Sequence, residues 1–134
     1  MLLTRATEYA LLSLEIIKNA KHPIGVEFIA NELNIPKSFL AKILQNLAKN
    51  EILISRKGAK GGFVIARPID EISLFSIVVA AENKYPAVFD CTQYGESCPN
   101  GAVGMCAISP FLAKFQTKVN SFLKEMTLGD IFEK

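Results

Sequence analysis

The residues best suited to chemistry are three cysteines, Cys91, Cys98 and Cys106, which lie within sixteen residues of a 134-residue chain that has no other cysteine. An odd number of cysteines, with no export signal expected, argues against a disulfide framework. Thiolates are the usual ligands of iron–sulfur clusters, and three in one irregular segment can wrap one cluster. The gaps of six and seven residues lack the paired Cys-x2-Cys of zinc ribbons. The spacing therefore favours an iron–sulfur cluster, of either the [2Fe–2S] or the [4Fe–4S] type.

A structural or a catalytic role for the cysteines is less well supported. Cysteine is often buried, so three unrelated buried thiols are the simplest alternative, although their clustering argues against it. A thiol enzyme is poorly supported, because no base stands near any of the cysteines in the sequence. It would also leave the basic features described below without a purpose. We therefore expect that the chain is not an enzyme.

Charge is unevenly distributed along the chain, although the net charge is only +2. Residues 1–67 carry ten Lys or Arg against five Asp or Glu, whereas residues 68–134 carry five against eight. A concentrated basic surface suits phosphates, but charge alone is equally consistent with an ordinary solvated face. No apolar run reaches the roughly 20 residues needed to cross a bilayer. Charged residues near the N-terminus also interrupt any signal peptide, so we expect a cytoplasmic protein with no membrane partner.

Three helices are predicted in the first fifty residues, over about 4–20, 26–33 and 36–49. In the second, Phe28, Ile29 and Leu33 are expected to face inward. The third has an apolar stripe of Phe39, Leu40, Ile43, Leu44 and Leu47. Its opposite face has no carboxylate and carries Lys37, Ser38, Ala41, Lys42, Gln45 and Lys49. Two helices joined by a short turn, the second with a basic polar outer face, suit the major groove of DNA.

A β-hairpin is predicted next, from two short β-rich runs at 51–55 and 63–66. The loop between them contains three glycines and the cations Arg56, Lys57 and Lys60, which would meet phosphates or a minor groove. A loop that binds a nucleotide phosphate is the alternative, but Walker spacing is absent and no helix follows directly. The pattern therefore predicts the wing of a winged helix.

The second half of the chain is predicted to be a helix to about residue 83, a loop over 84–108 and a final helix that begins at Ser109-Pro110. This final helix carries a nearly heptad apolar seam of Phe111, Phe115, Val119, Phe122 and Met126. A second subunit is the simplest cover for such a seam. We therefore divide the chain into a DNA-binding domain (1–83), a cysteine-containing loop (84–108), and a dimerisation helix with a C-terminal tail (109–134).

The chain resembles the Rrf2 family of bacterial winged-helix regulators over nearly its full length. The resemblance lies in the opening segment 3–10, the recognition segment 35–47, the wing 55–68 and the three-cysteine loop. The most specific of these is the end of the wing, Gly-Gly-Phe-x-x-Ala-Arg-Pro. The resemblance implies a mainly α fold with a small β-hairpin wing, a winged helix-turn-helix followed by a long C-terminal dimerisation helix.

The resemblance also implies a function. The chain would be a homodimeric repressor that binds double-stranded DNA at an inverted-repeat operator, and would sense iron–sulfur supply, oxidants or nitric oxide through its cluster. The residues expected at the DNA are Lys37, Ser38, Ala41, Lys42, Gln45, Arg56, Lys57 and Lys60. The alternative is a cluster-free regulator of the same family, in which the cysteines form a thiol switch or the loop meets a partner protein or a small molecule.

The fourth cluster ligand is open, because three cysteines leave one position vacant in either cluster type. Relatives with a [2Fe–2S] cluster have a histidine shortly after the third cysteine, whereas residues 106–110 contain none. Some relatives use an acidic residue at the position of Glu8 on the cluster of the partner subunit. We therefore nominate Glu8, with Asp90 and Glu96 as rivals. The alternative is that Glu8 is a surface residue favoured by the dipole of the first helix.

Overall fold

The computed structural model describes residues 3–88 and 107–133. In chain order its elements are α1 (Arg5–Asn19), α2 (Val26–Leu33), α3 (Lys37–Lys49), β1 (Leu53–Arg56), β2 (Gly62–Ile65), a 3-10 turn (Ile69–Glu71), α4 (Leu74–Glu82), α5 (Ser109–Glu125) and α6 (Leu128–Phe132). The strands form one antiparallel hairpin. This order confirms the expected mainly helical fold with a hairpin wing. None of the described helices is long and apolar enough to cross a membrane.

Local sequence signals place most of the helix ends. Thr4 caps α1, where its hydroxyl accepts a hydrogen bond from the Ala6 amide, as expected of a threonine before a helix. Asn34 ends α2 in the left-handed conformation, with φ 55°. Pro36 then stands directly before α3, and Pro110 lies in the first turn of α5, where a proline costs no hydrogen bond.

The main core lies between the first three helices, α4 and the base of the hairpin. Helix α3 contributes Leu40, Ile43, Leu44 and Leu47, all nearly or fully buried. The prediction for two aromatic residues is wrong, because Phe28 and Phe39 are 52% and 41% exposed. Phe39 lies about 90° around α3 from the centre of the buried stripe, as a period of 3.6 residues requires. The four aliphatic residues alone fill the space under α3.

The hairpin is joined to the segment before α2 by close backbone contact. Ile24 and Phe63 exchange two backbone hydrogen bonds, of 2.8 and 3.2 Å. Gly62 lies beside this contact with φ +147°, and a Cβ atom there would be 2.5 Å from the carbonyl carbon of Ile24. A glycine is therefore required at this position, both for the backbone conformation and for the space.

The C-terminal helices α5 and α6 pack against the core formed by the elements from α1 to α4. Leu123 of α5 is buried against Leu74 and Val78 of α4, and forms a second, smaller apolar cluster with them. Between α5 and α6 the chain pairs with residues 72–74, where the amide of Leu128 donates to the carbonyl of Ile72 over 2.8 Å. Leu128 itself is fully buried in the main core. Residues 126–133 therefore complete the core formed by α1 to α4. The proposed domain boundaries stay a prediction.

Candidate nucleic-acid interface and metal site

The outer face of α3 is held toward solvent by the buried stripe on its other side. Ser38, Lys42 and Gln45 are exposed on this face, and Ala41 between them is half-buried. Their groups are small, amide or cationic, and such groups can reach base edges in a major groove. The structure therefore brings the predicted base-reading residues together on one surface.

Lys37, predicted to bind phosphate, is exposed at the start of α3 and already has a partner. Its Nζ lies 2.7 Å from Oε1 of Glu27 on α2. The hydrogen bond from Lys37, followed by its positive charge, lowers the pKa of Glu27 below the usual value. Both side chains are exposed, at 56% and 76%, so the pair is screened and easily exchanged. A phosphate can therefore take the place of Glu27 at low cost.

An open groove of about 850 Å³ separates the end of α3 from the hairpin. Gln45 and Lys49 of α3 line one side of it, and Ser55 of β1 and Arg67 line the other. These residues are polar or cationic and exposed. The groove is also lined by Ala48, Leu53, Ile54 and Ala66 and by the carboxylate of Glu51, so it joins the outer face of α3 to the hairpin in one surface of mixed polar and apolar character.

The tip of the hairpin presents three exposed cations, Arg56, Lys57 and Lys60. The loop is closed by a hydrogen bond of 3.0 Å from the Gly61 amide to the Gly58 carbonyl, and Gly58 has φ +104°. Within residues 3–88 and 107–133, none of the ion pairs involves these three cations. Their charge is therefore available to phosphates.

Glu8, the nominated fourth ligand, lies in the first turn of α1 beside a shallow groove of about 450 Å³ that Thr4, Thr7 and Leu11 also line. Its side chain is 49% exposed, and both carboxylate oxygens lie 3.1 Å from Nη1 of Arg5. The described ranges contain no cluster of three or more His, Cys, Asp or Glu that could hold a metal ion. The predicted ligands Cys91, Cys98 and Cys106, and the rivals Asp90 and Glu96, lie outside the described residues.

Sequence reasoning missed Glu82, the last residue of α4. One of its oxygens, Oε2, accepts hydrogen bonds from the amide of Thr4 (3.0 Å), the hydroxyl of Thr4 (2.6 Å) and the hydroxyl of Thr7 (2.5 Å). Partial burial raises the pKa of Glu82, but the hydrogen bonds from Thr4 and Thr7 outweigh it, so that the pKa is lower than usual. Thr7 is buried, so its hydroxyl needs a partner within the protein, and Glu82 supplies it.

Gln116 of α5 was also missed. Its Oε1 accepts from the Val88 amide over 2.8 Å, and its Nε2 donates to the Pro86 carbonyl over 3.0 Å. The Nε2 atom also lies 2.9 Å from Oδ1 of Asn120 on the next turn. One amide side chain thus binds both kinds of backbone group, as a neighbouring strand would. It fastens the chain that follows α4 to α5.

The five residues of the predicted dimer interface fall into two groups. Phe111, Phe115 and Phe122 are 60%, 41% and 57% exposed, and the first two rings stack with centroids 5.9 Å apart. Val119 and Met126 are partly buried, because they pack against the small cluster between α4 and α5. The exposed aromatic face of α5 is therefore narrower than the seam read from the sequence.

Known proteins share both the sequence pattern and this geometry. Residues 3–134 match the Rrf2 family, described as an iron-dependent transcriptional regulator. A putative HTH-type transcriptional regulator of Aquifex aeolicus is 28% identical, over 98% of this chain and 91% of that protein. The HTH-type regulators IscR of Sodalis glossinidius and NsrR of Oceanobacillus iheyensis are 25% and 26% identical, over 98% and 99% of this chain and 78% and 90% of their own lengths.

Solved structures share the fold. A putative transcriptional regulator from Listeria innocua superposes with a TM-score of 0.76 at 23% identity, covering 97% of this chain and 85% of that one. The oxidised form of CymR from Staphylococcus aureus superposes with a TM-score of 0.72 at 24% identity, covering 100% and 98%. The related proteins are regulators rather than enzymes, and the winged helix is their DNA-binding element. Because the family match spans nearly the whole chain, this protein belongs to the Rrf2 family of winged-helix transcriptional regulators.

Proposed function

We propose that this protein is a repressor whose affinity for operator DNA depends on an iron–sulfur cluster held by Cys91, Cys98 and Cys106. One observation supports this coupling more than any other. Helix α4, which precedes the cysteine segment, is hydrogen-bonded to the start of α1 through Glu82. Residues 86–88, which directly follow α4, are hydrogen-bonded to α5 through Gln116. A change in the cysteine segment therefore has a physical route to the DNA-binding helices.

At the DNA, α3 enters the major groove. Gln45 pairs with an adenine and Lys42 with the acceptors of a guanine, while Ser38 and Ala41 lie against the groove floor. Lys37 exchanges its partner Glu27 for a phosphate, and the wing cations Arg56, Lys57 and Lys60 hold the backbone. The groove between α3 and the hairpin supports this placement only in that Gln45 and Lys49 on one side of it and Ser55 and Arg67 on the other belong to one continuous surface.

The functional unit is a homodimer. The exposed rings of Phe111, Phe115 and Phe122 lie on one helix, and exposed apolar patches of this kind mark contact surfaces. Two identical subunits related by a two-fold axis present two α3 helices, which fits an inverted-repeat operator. The two other residues of the predicted interface, Val119 and Met126, then support the helix from behind.

The donor set fits an iron–sulfur cluster. Three thiolates are soft ligands suited to iron, and Glu8 offers a harder carboxylate that binds iron less firmly. A bound cluster would supply reactivity toward oxidants and nitric oxide. Among the ion pairs of the described residues, Glu8 is paired only with Arg5, whose side chain is 74% exposed, and such a solvent-exposed pair is weak enough for Glu8 to exchange it for a ligand. In this proposal Glu8 serves the cluster of the partner subunit.

The test is anaerobic purification. A brown protein with iron and sulfide in stoichiometric amounts supports the proposal, and a colourless protein contradicts it. For the fourth ligand, Glu8→Ala is compared with Asp90→Ala, Glu96→Ala and the matched control Glu15→Ala on the same helix. The ligand role of Glu8 is wrong if Glu8→Ala leaves the cluster spectrum, its lifetime in air and the DNA affinity unchanged.

A second candidate is a cluster-free regulator in which the cysteines form a thiol switch or the loop meets a partner protein or small molecule. One observation favours it: residues 106–110 contain no histidine that could complete the ligand set. The colourless protein would then change its DNA affinity when treated with a disulfide or a thiol reductant. The triple variant Cys91→Ser, Cys98→Ser and Cys106→Ser would lose that response.

A further inference from the structure

Phe39 lies at the border between the buried stripe and the outer face of α3. It is 41% exposed, although the sequence pattern assigned it to the core. Its neighbour Ser38 and the residue one turn later, Lys42, are exposed members of the DNA-facing surface. The exposed part of the Phe39 ring therefore lies at the edge of the surface that is proposed to face DNA, where it can contact a bound duplex.

The ring of Phe39 is held in place from one side. The ring of Tyr9 on α1 meets it edge to face, with centroids 5.7 Å apart and planes at 81°. Tyr9 is itself partly buried against the main core, so it is a firm support. This contact fixes the orientation of the Phe39 ring relative to α3. A side chain that recognises a base needs such a fixed orientation.

We propose that Phe39 contacts the C5-methyl group of a thymine in the major groove, and so sets a preference for thymine at one position of each half-site. The inference rests on the proposed placement of α3 in the groove. Thymine is the only base that presents a methyl group there, and phenylalanine is one of the residues whose apolar surface complements it. The polar and cationic neighbours on α3, with no carboxylate among them, favour DNA over an apolar protein surface as the partner.

The experiment removes the methyl group from the DNA. Duplexes are first selected from a randomised pool by the wild-type protein, and each thymine is then replaced in turn by deoxyuridine. We expect one position per half-site at which this change weakens wild-type binding by about three- to five-fold, the size typical of one buried methyl group. Phe39→Ala should bind the thymine and uracil duplexes equally at that position. Phe39→Leu, which keeps an apolar side chain, should retain part of the difference.

Phe28→Ala is the matched control, because Phe28 is another exposed phenylalanine, on α2, and should keep the full sensitivity to uracil. The inference is overturned if no thymine is sensitive in the wild type, or if Phe39→Ala keeps that sensitivity. A crosslink to Phe39 from 5-bromodeoxyuridine at the sensitive position checks the contact without any variant.

Lys42→Ala and Gln45→Ala distinguish a failure of the thymine contact from a failure of the proposed placement of α3 in the major groove. If both leave binding unchanged, the proposed placement of α3 itself fails. If both weaken binding while Phe39→Ala stays sensitive, only the thymine contact fails.

Discussion

Glu82 and Thr7 lie 75 residues apart in the chain, yet their side-chain oxygens are 2.5 Å apart. The same carboxylate oxygen also accepts hydrogen bonds from the amide and the hydroxyl of Thr4. A carboxylate at a helix N-terminus satisfies amides that have no partner within the helix and is favoured by the helix dipole. The end of α4 is thereby fixed to the beginning of α1.

Replacing Glu82 should therefore destabilise the protein. We expect Glu82→Ala to lower the free energy of unfolding by about 1–3 kcal/mol, since the hydrogen bonds to a charged group are removed and the Thr7 hydroxyl stays buried without its partner. Urea denaturation measures the change. Glu125→Ala, which removes an exposed carboxylate of α5, is the control and should leave stability nearly unchanged.

The contribution of Glu82 should also depend on pH. Because the folded protein holds the pKa of Glu82 below its usual value, the stabilisation is present above the unfolded pKa, about 4.3. It is lost as the pH falls through the lower pKa of the folded state. The difference in stability between the wild type and Glu82→Gln should therefore shrink below about pH 4.3. A difference that stays constant from pH 7 to pH 3 would contradict this assignment.

The wing should act through charge. We expect Lys57→Ala with Lys60→Ala to weaken binding to most DNA sequences, and to reduce the slope of log affinity against log salt by about 0.9 for each phosphate that is no longer neutralised. The measurement is a salt titration with a selected duplex and with random DNA. Lys114→Ala with Lys118→Ala removes the same charge from exposed positions of α5 and should change the slope much less. Equal slopes for the wing variant and the wild type would place the wing away from DNA.

The exposed aromatic face of α5 should hold the dimer together. Phe111→Asp with Phe122→Asp should give folded monomers with little affinity for an inverted repeat, because each charge would have to be buried in the interface. Sedimentation measures the oligomeric state, and circular dichroism shows that the helices remain. Val119→Asp is the informative contrast: Val119 packs within the subunit, so this change should lower thermal stability as well. A wild-type protein that sediments as a monomer at micromolar concentration would refute the interface.

Gly62 should be intolerant of any side chain. Gly62→Ala would place a Cβ atom against the backbone of Ile24 in a conformation that L-residues rarely adopt. We expect a loss of stability of about 1–3 kcal/mol. Gly25→Ala is the control, since a Cβ atom there meets nothing within 4 Å. If both variants unfold at the same denaturant concentration, the close contact between the hairpin and residue 24 is wrong.

Local signals made much of this fold predictable. Asn34, Pro36 and the Ser109-Pro110 pair each act on the adjacent backbone, so the helix ends that they specify can be read directly from the sequence. Periodicity found the buried stripe of α3 but not its edge, because the available space under the helix decides whether the ring of Phe39 fits. The positions of the buried residues follow from the sequence of α3 itself, whereas the neighbouring helices determine how much of the surface of α3 is covered.

The contacts of Glu82 and Gln116 could not be predicted in the same way. Glu82 reaches Thr4 across 78 residues, and Gln116 reaches Pro86 across 30. Neither residue type nor local pattern distinguishes these two side chains from an ordinary surface glutamate or glutamine. The exposure of the outer face of α3 and of the wing cations was easier to predict, because most charged and polar residues are exposed in folded proteins.

The burial of Leu128 has a consequence for how the protein is made. This residue lies in the same core as Leu14 and Leu44, and its amide bonds to Ile72. During synthesis, a ribosome-bound chain that has not yet reached residue 128 has both the recognition helix and the wing but lacks a piece of their shared core. The core that supports α3 and the hairpin is therefore complete only once the segment that follows α5 has been synthesised.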